Sequence, residues 1–307
     1  MKTTLPRIVV ITRPTPLDML LRRFGTQDNA RFYVESRGQD FARVLHIHEL
    51  QQQAVTAVLR AIPAEQRRAQ VSRDDLDRFL FNRDDVVFAI GQDGLVPNVA
   101  KYLDGHTLVG FNPDPATVGG LLCRFTPAES AAVIAALNAG TLGGFVLERR
   151  TMVVAVREDG QQLLALNELF IGHHSHQSAK YRISVSGPDS VQSERHSSSG
   201  VIVSTGTGAT GWTASIVKQR GIAQPLPAAT ERRLAYMVRE PWPSIATGTE
   251  VNFGFVTEGE TLTLSSEMEE GGVVFGDGIE ADFIEFNEGQ TITVRLADRT
   301  LNLLAKS

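Results

Sequence analysis

With a single cysteine, Cys123, in 307 residues, the chain has no partner for an internal disulfide and suits a reducing compartment. No apolar run approaches the ~20 residues that span a bilayer. Positive charge is not in surplus: 30 Lys and Arg stand against 35 Asp and Glu, a net charge of −5. That balance argues against nucleic acid as the main partner, because neutralising phosphates takes clustered cations. The P-loop pattern Gly-x-x-x-x-Gly-Lys-Ser/Thr is missing, and so is a protein-kinase Gly loop with its Lys and His-Arg-Asp motif. Gly-x-Ser-x-Gly is also absent, which removes the usual hydrolase elbow. The sequence has no internal repeat and no low-complexity segment. Met1 to Thr12 is basic and then apolar, lacks a small-residue cleavage site and runs straight into a strand. The expectation is a soluble, cytoplasmic protein without a membrane partner. Its 42% hydrophobic and 21% charged residues are ordinary for such a protein, and the length allows two domains with cores.

What is present centres on Asp84 to Asn98. Val86 to Ile90 is an unbroken apolar run, the pattern of a strand covered on both faces. It stops at Gly91-Gln92-Asp93-Gly94. Leu95 to Leu103 then sets Val96, Val99, Ala100 and Leu103 at helical spacing, with Pro97 tolerable in a first turn. A strand, a glycine turn and a helix in succession offer backbone N–H groups and a helix dipole to a phosphate. Asp93 would repel that phosphate unless a metal or a chemical task justifies it. The purely structural alternative makes Asp93 the helix N-cap.

Before this stretch, Arg7 to Thr12 reads as a strand. Thr15 caps a helix with Pro16 at its first position, Leu17, Leu20, Leu21 and Phe24 on one face, and Gly25 as its stop. Arg31 to Glu35 reads equally as a second strand or as part of an insertion. Leu50 to Ile62 is a helix, Ala69 to Ser72 a weak strand and Arg73 to Phe81 a short helix. After it, the strand Thr107 to Phe111 ends in the loop Asn112-Pro113-Asp114-Pro115. Strand and helix alternate, which implies a parallel sheet with ligands at the carboxyl ends of its strands. Thr126 and Glu129 form a capping box before the helix Ala131 to Leu137, which stops at Gly140. Beyond Gly144 the pattern becomes β. Phe145 to Arg157 and Gln161 to Ile171 are extended segments joined by a hairpin turn at Glu158-Asp159-Gly160. Six further strands follow, at Tyr181 to Ser186, Gly200 to Ser204, Glu250 to Phe255, Thr261 to Leu264, Gly272 to Phe275 and Thr291 to Leu296, as in a sandwich or layered sheets.

Three clusters in the second half invite chemistry. Gly206, Gly208 and Gly211 match Gly-x-Gly-x-x-Gly, yet no βαβ unit surrounds them and no acidic residue follows at the expected distance. They serve either close backbone approach to a ligand or a plain glycine-rich connector. Asn167-Glu168 interrupts the apolar run Leu163 to Ile171. The pair suits ribose hydroxyls, or else simply faces solvent. His173, His174 and His176 suggest a metal, but no Cys partner or acidic residue lies at ligand spacing, and adjacent loop histidines are commonly solvated.

In this order the pieces resemble the NAD kinase family. Gly91-Gln92-Asp93-Gly94 stands where that family has Gly-Gly-Asp-Gly. Asn167-Glu168 matches its Asn-Glu motif, Ser204 to Trp212 its nucleotide loop, and Asp277-Gly278 its late Asp-Gly. Asn112 to Pro115, Gly119 to Cys123, Thr205 to Gly208 with Trp212, and Val238 to Pro241 have counterparts in the mitochondrial-type branch. The resemblance implies an NAD kinase-like fold: an α/β N-terminal domain, 1–126, with a parallel Rossmann- or flavodoxin-like sheet, and a β-rich, β-sandwich-like domain, 127–307. The last segment of the second has the option of packing back on the first.

The activity implied is ATP-dependent phosphorylation of the adenosine 2′-hydroxyl of NAD to give NADP, with Mg²⁺ carried by ATP and no metal site in the protein. Small-molecule nucleotides would be the partners, and the assembly a homodimer or higher homo-oligomer. Asp93 would be the catalytic base and Gly91, Gln92 and Gly94 the phosphate turn for ATP. Asn167 and Glu168 would hold ribose hydroxyls, while Thr205, Thr207, Thr210, Gly211, Trp212 and Asp277 would line the NAD. Two positions depart from the pattern. Gln92 replaces a Gly, costing roughly 1–2 kcal/mol if the turn needs positive φ there. Leu95 replaces a Thr and cannot donate a hydrogen bond. The alternatives are a catalytically weak NAD(P) binder acting as sensor or scaffold, a kinase of this fold with a sugar or lipid acceptor, and a dehydrogenase using Gly206 to Gly211.

Overall fold

The computed structural model describes residues 5–187 and 191–307, so the first residues of the Met1 to Thr12 stretch lie outside the described part. The chain divides into two units: one runs to Glu148 and resumes at Asn302–Ser307, the other is Arg149–Leu301. Residues 127–148, grouped with the β-rich part on sequence, thus lie in the first unit.

In the first unit, β1 (Ile8–Thr12) is followed by three helices, α1 (Pro16–Phe24), α2 (Gln27–Glu35) and α3 (Phe41–Ala61), then by β2 (Arg68–Ser72), β3 (Val86–Ile90), α4 (Leu95–Ala100), β4 (Thr107–Phe111), α5 (Ser130–Ala139) and β5 (Phe145–Arg150). The sheet order is β2-β1-β3-β4, then the C-terminal strand Leu301–Lys306, then β5. β1, β2, β3, β4 and the C-terminal strand run parallel. All of β3 is buried, as an apolar strand must be in a sheet covered on both faces. Val10, Phe88 and Val109 pack with Val55 and Val58 of α3 and with Val133 and Ile134 of α5.

Local chemistry explains most helix ends. Thr15 and Asp18 close a capping box at α1, and Gly25 ends it at φ 78°. Arg31 to Glu35 is neither strand nor insertion but the second half of α2, which Thr26 caps and which buries Ala30 and Val34, four residues apart. The predicted helix at Leu50 starts nine residues earlier, at Phe41, capped by Asp40. Its first turns carry Arg43, His46 and His48, which obscured the apolar period. Arg73 to Phe81 is a short 3₁₀ segment, Arg73–Arg78.

The second unit holds β6 (Val153–Arg157), β7 (Gln162–Ala165), β8 (Glu168–His173), β9 (Ala179–Ser186), β10 (Val191–Ser198), β11 (Val201–Ser204), α6 (Trp212–Arg220), β12 (Arg233–Val238), β13 (Phe253–Thr257), β14 (Thr261–Ser266), β15 (Gly272–Gly276), β16 (Phe283–Glu285) and β17 (Thr291–Leu296). They form two six-stranded sheets, β10-β9-β14-β17-β6-β7 and β13-β12-β11-β8-β15-β16. Val153, Ala155, Leu262 and Leu264 of the first meet Leu169, Ile171, Val201 and Val203 of the second in one core. With period two, Phe170, Ile202 and Val273 point the other way and pack with Ile216 of α6. Each long extended segment of the sequence reading splits in two, β5 from β6 at Thr151-Met152 and β7 from β8 at Leu166-Asn167.

Candidate functional site

The predicted residues fall into two groups, one in each unit. In the first unit, β3 ends at Ile90 and the chain turns through Gly91 to Gly94 into α4. The Gly91 amide donates to the Phe111 carbonyl at 3.0 Å, fixing the turn to the end of β4. Asp93 is not the N-cap, which is Gly94. Its carboxylate instead faces the backbone of Leu121 to Cys123. Oδ2 accepts the Leu121 amide at 2.7 Å, and Oδ1 accepts the amides of Leu122 and Cys123 at 3.0 and 2.9 Å. A carboxylate has about four acceptor positions, so one on Oδ2 stays open.

The turn needs no positive φ. Among the described residues, non-glycine positive φ occurs at Glu240 and Asp277, and Gly91 and Gly94 do not have it either. Gln92 is thus unstrained, contrary to the expected cost, and its side chain is exposed. Leu95 is fully buried and serves the core of this unit. α4 is shorter than predicted, six residues, and its first amides, Leu95 and Val96, already donate to the carbonyls of Gln92 and Asp93. Its end is therefore not the open anion site that the strand-turn-helix pattern suggested. A cavity of about 240 Å³ borders the turn, lined by Arg13, Arg43, His46, Gly91, Gln92 and Asn112 among others. Arg13 and Arg43 were missed on sequence. Arg13 directly follows β1, and the rule that ligands sit at carboxyl ends of parallel strands was the signal that could have found it.

In the second unit the turn between β7 and β8 is the organising feature. Asp277, at φ 55°, accepts the amides of Leu166 and Asn167 at 3.0 and 2.6 Å, and its own amide donates to the Glu168 carbonyl at 3.0 Å. Asp tolerates this left-handed conformation better than most residues. From the other side, the Thr205 amide donates to the Asn167 carbonyl at 2.9 Å, and the Thr205 hydroxyl to the Leu166 carbonyl at 2.5 Å. Thr205 is fully buried and also accepts the Thr207 amide, so its hydroxyl shapes the loop from within. Buried Thr207 accepts from Arg150 at 3.3 Å, and the Thr210 hydroxyl donates to the Thr207 carbonyl.

The glycines of this loop answer to close packing. A Cβ on Gly206 would come 1.9 Å from the Ala228 carbonyl oxygen, and one on Gly208 would come 2.3 Å from that of Asn167. β11 is antiparallel to both neighbours, so no βαβ unit exists and the dehydrogenase reading loses its structural context. Glu168 is half-buried beside Gly208. Burial, and then the charge of Asp277, push its carboxyl up to about 7. Near neutral pH it therefore both donates and accepts hydrogen bonds.

Gly211 precedes α6, and Trp212 opens that helix. The Trp212 ring is 41% exposed, lies parallel to Phe170 at 6.3 Å and carries the Arg239 guanidinium over its face at 4.7 Å. These residues line a cavity of about 600 Å³ together with Phe275. Asn167 and Glu168 lie outside that lining. The His173 and His174 rings stack at 4.8 Å, with His173 Nδ1 accepting the Ser175 amide. Among the described residues, no three His, Cys, Asp or Glu gather into a possible metal site. No helix among them is long and apolar enough to cross a membrane.

A parallel α/β unit with a glycine turn holding one carboxylate, followed by an antiparallel sandwich whose chain returns to the first sheet, defines a two-unit architecture. More particularly, the fold is that of the NAD kinases. An NAD kinase from Archaeoglobus fulgidus, solved in complex with ATP, superposes with a TM-score of 0.59 at 16% identity, covering 98% of this chain and 94% of that one. Yeast NADH kinase, solved with NADH, gives 0.62 at 14% identity, over 100% of this chain and 85% of that one. In sequence, an NAD kinase of Mesorhizobium japonicum is 30% identical over 132 residues, 42% of this chain and 48% of that protein. The chain thus matches about half the length of that relative. No family sequence model matches it. The chain is thus similar to the NAD kinases in fold over nearly its whole length and in sequence over that segment.

Proposed function

We propose that this protein phosphorylates the 2′-hydroxyl of the adenosine ribose of NAD, with ATP and its Mg²⁺ as the phosphoryl donor. The observation that carries the reading is the convergence of Thr205 and Asp277 on the turn Leu166-Asn167, across 39 positions from Leu166 and 110 from Asn167, within the fold of NAD kinases. Asp93 is the candidate base. Its three amide partners fix the carboxylate's orientation and leave one acceptor position on Oδ2 for a hydroxyl proton. Asn167 and Glu168 are the candidate ribose ligands, and a carboxyl titrating near 7 suits a partner that is itself both donor and acceptor. Trp212 offers an exposed aromatic face to a flat ring. Phosphoryl transfer has a loose transition state, so positioning and charge neutralisation supply most of the rate, and the divalent cation enters with the donor.

NAD and NADH are both candidate acceptors, one named for each type of relative. Incubating the full chain with ATP, Mg²⁺ and either acceptor, then separating the products chromatographically, tests the reading and settles the preference. A folded chain that phosphorylates neither, but binds both, would favour the second reading, a weak enzyme acting as an NAD(P) sensor. The saturation of most of the Asp93 carboxylate by backbone amides is the observation on that side.

A further inference from the structure

The carboxyl end of β1 delivers Arg13 to the cavity beside the Gly91 turn. The Arg13 stem lies against Gly91, where an added Cβ would sit 3.9 Å from the Arg13 Cδ. The residue is half-buried, yet among the described residues its guanidinium makes no ion pair, hydrogen bond or aromatic contact. Comparable arginines are committed: Arg7 holds Asp85, Arg124 holds Glu148 and Arg157 holds Asp159, with side-chain exposures of 21, 30 and 16%. A guanidinium with partial burial and no counter-charge is costly to keep in a fold, and a ligand anion removes that cost. Arg43 adds a second cation to the same cavity from α3, and Oδ1 of the cavity's carboxylate, Asp114, accepts the Thr117 amide and hydroxyl.

We propose that Arg13 is a clamp for the phosphates of the phosphoryl donor, a run of phosphates as found in a nucleoside triphosphate or an inorganic polyphosphate, with Arg43 reinforcing it from the rim. The inference rests on the phosphoryl-transfer reading above and deepens it. Asp93 is two residues from Gly91, so a phosphate chain at this turn meets one fixed negative charge. The planar fork of Arg13 grips two phosphate oxygens and offsets that repulsion, which a point charge on a lysine does less well.

The test is calorimetric titration of the full chain with tripolyphosphate and, separately, with ATP, in wild type, Arg13→Ala, Arg13→Lys and the exposed control Arg67→Ala. Arg13→Ala is expected to weaken tripolyphosphate and ATP on the order of tenfold to a hundredfold, the loss of a charge-assisted hydrogen-bond pair. Arg13→Lys should recover part of that, and Arg67→Ala none of it should be lost. In turnover, KM for ATP should rise while KM for NAD and the melting temperature stay put. If ATP weakens and tripolyphosphate does not bind to wild type, the clamp reads the nucleotide end and the phosphate assignment is overturned. Unchanged affinity for both ligands in a folded Arg13→Ala overturns it as well. If Arg13→Ala fails to fold, Arg13→Lys with wild-type affinity and KM has the same force. Phosphate binding through Arg13 in a chain that makes no NADP would leave the clamp standing and remove the proposed reaction. NADP formation indifferent to Arg13 would do the reverse.

Discussion

The Asp277 carboxylate accepts the Asn167 amide at 2.6 Å, one bond joining two motifs 110 positions apart. A second bond from the same side chain takes the Leu166 amide, so the turn that presents Asn167 and Glu168 is built on Asp277. This accounts for an aspartate at positive φ, a conformation worth keeping only where the surroundings require it.

Asp277→Ala should therefore unfold more easily than wild type. It leaves two amides without their acceptor and puts Cβ without compensation at φ 55°. The expected loss is about 2–4 kcal/mol, read from the midpoint of urea unfolding. A midpoint unchanged from wild type would mean that the turn holds itself.

Glu168 should make stability fall with pH. Its folded carboxyl titrates at about 7 against an ordinary 4.5, because burial and Asp277 disfavour its charge. The folded state thus binds the proton more tightly than the unfolded one. The stability it contributes is complete below 4.5 and lost as pH rises through about 7. Glu168→Gln has no such loss. Relative to wild type it should gain on the order of 1–2 kcal/mol at pH 8 compared with pH 5, after allowance for partial solvent exposure. Parallel melting curves at the two pH values check this, and a constant difference between the proteins would contradict it.

Gln92→Gly should leave the melting temperature unchanged or slightly lower. Gln92 carries no positive φ to relieve, and glycine adds only freedom to the unfolded chain, about 0.5–1 kcal/mol. A clear rise in melting temperature would show strain that the backbone does not display. Turnover is expected to fall or barely alter, since the side chain is exposed at the cavity and can donate to a ligand.

Much of this was legible in the sequence wherever one residue type had one physical job. The run Val86 to Ile90 declared a fully covered strand, Thr15 with Pro16 declared a helix start, and the change to β pattern declared a second kind of core, although its first strand, Phe145–Arg150, joins the first unit's sheet. What escaped depended on partners far along the chain. Nothing near Asp93 announces that Leu121 to Cys123 will surround its carboxylate, and nothing near Thr205 announces that its hydroxyl turns inward to Leu166. α2 and the start of α3 were missed because Tyr33 and Val34 favour strands and because His46 and His48 interrupt the apolar stripe. Leu95 seemed a defect in a motif and is a buried core residue.

Asp93 is the residue on which the proposed reaction turns. Single-turnover formation of NADP from ATP, Mg²⁺ and NAD should be measured in wild type and Asp93→Asn, with NAD binding and the melting temperature recorded for each. An asparagine keeps one acceptor oxygen and turns an NH₂ towards the amides, so a lower melting temperature is expected, about 1–3 kcal/mol in stability. The prediction is that wild type makes NADP, and that the folded variant binds NAD normally but reacts at least ~10²-fold more slowly. Equal rates in the two proteins, or no NADP from a folded wild type that binds both nucleotides, would contradict it.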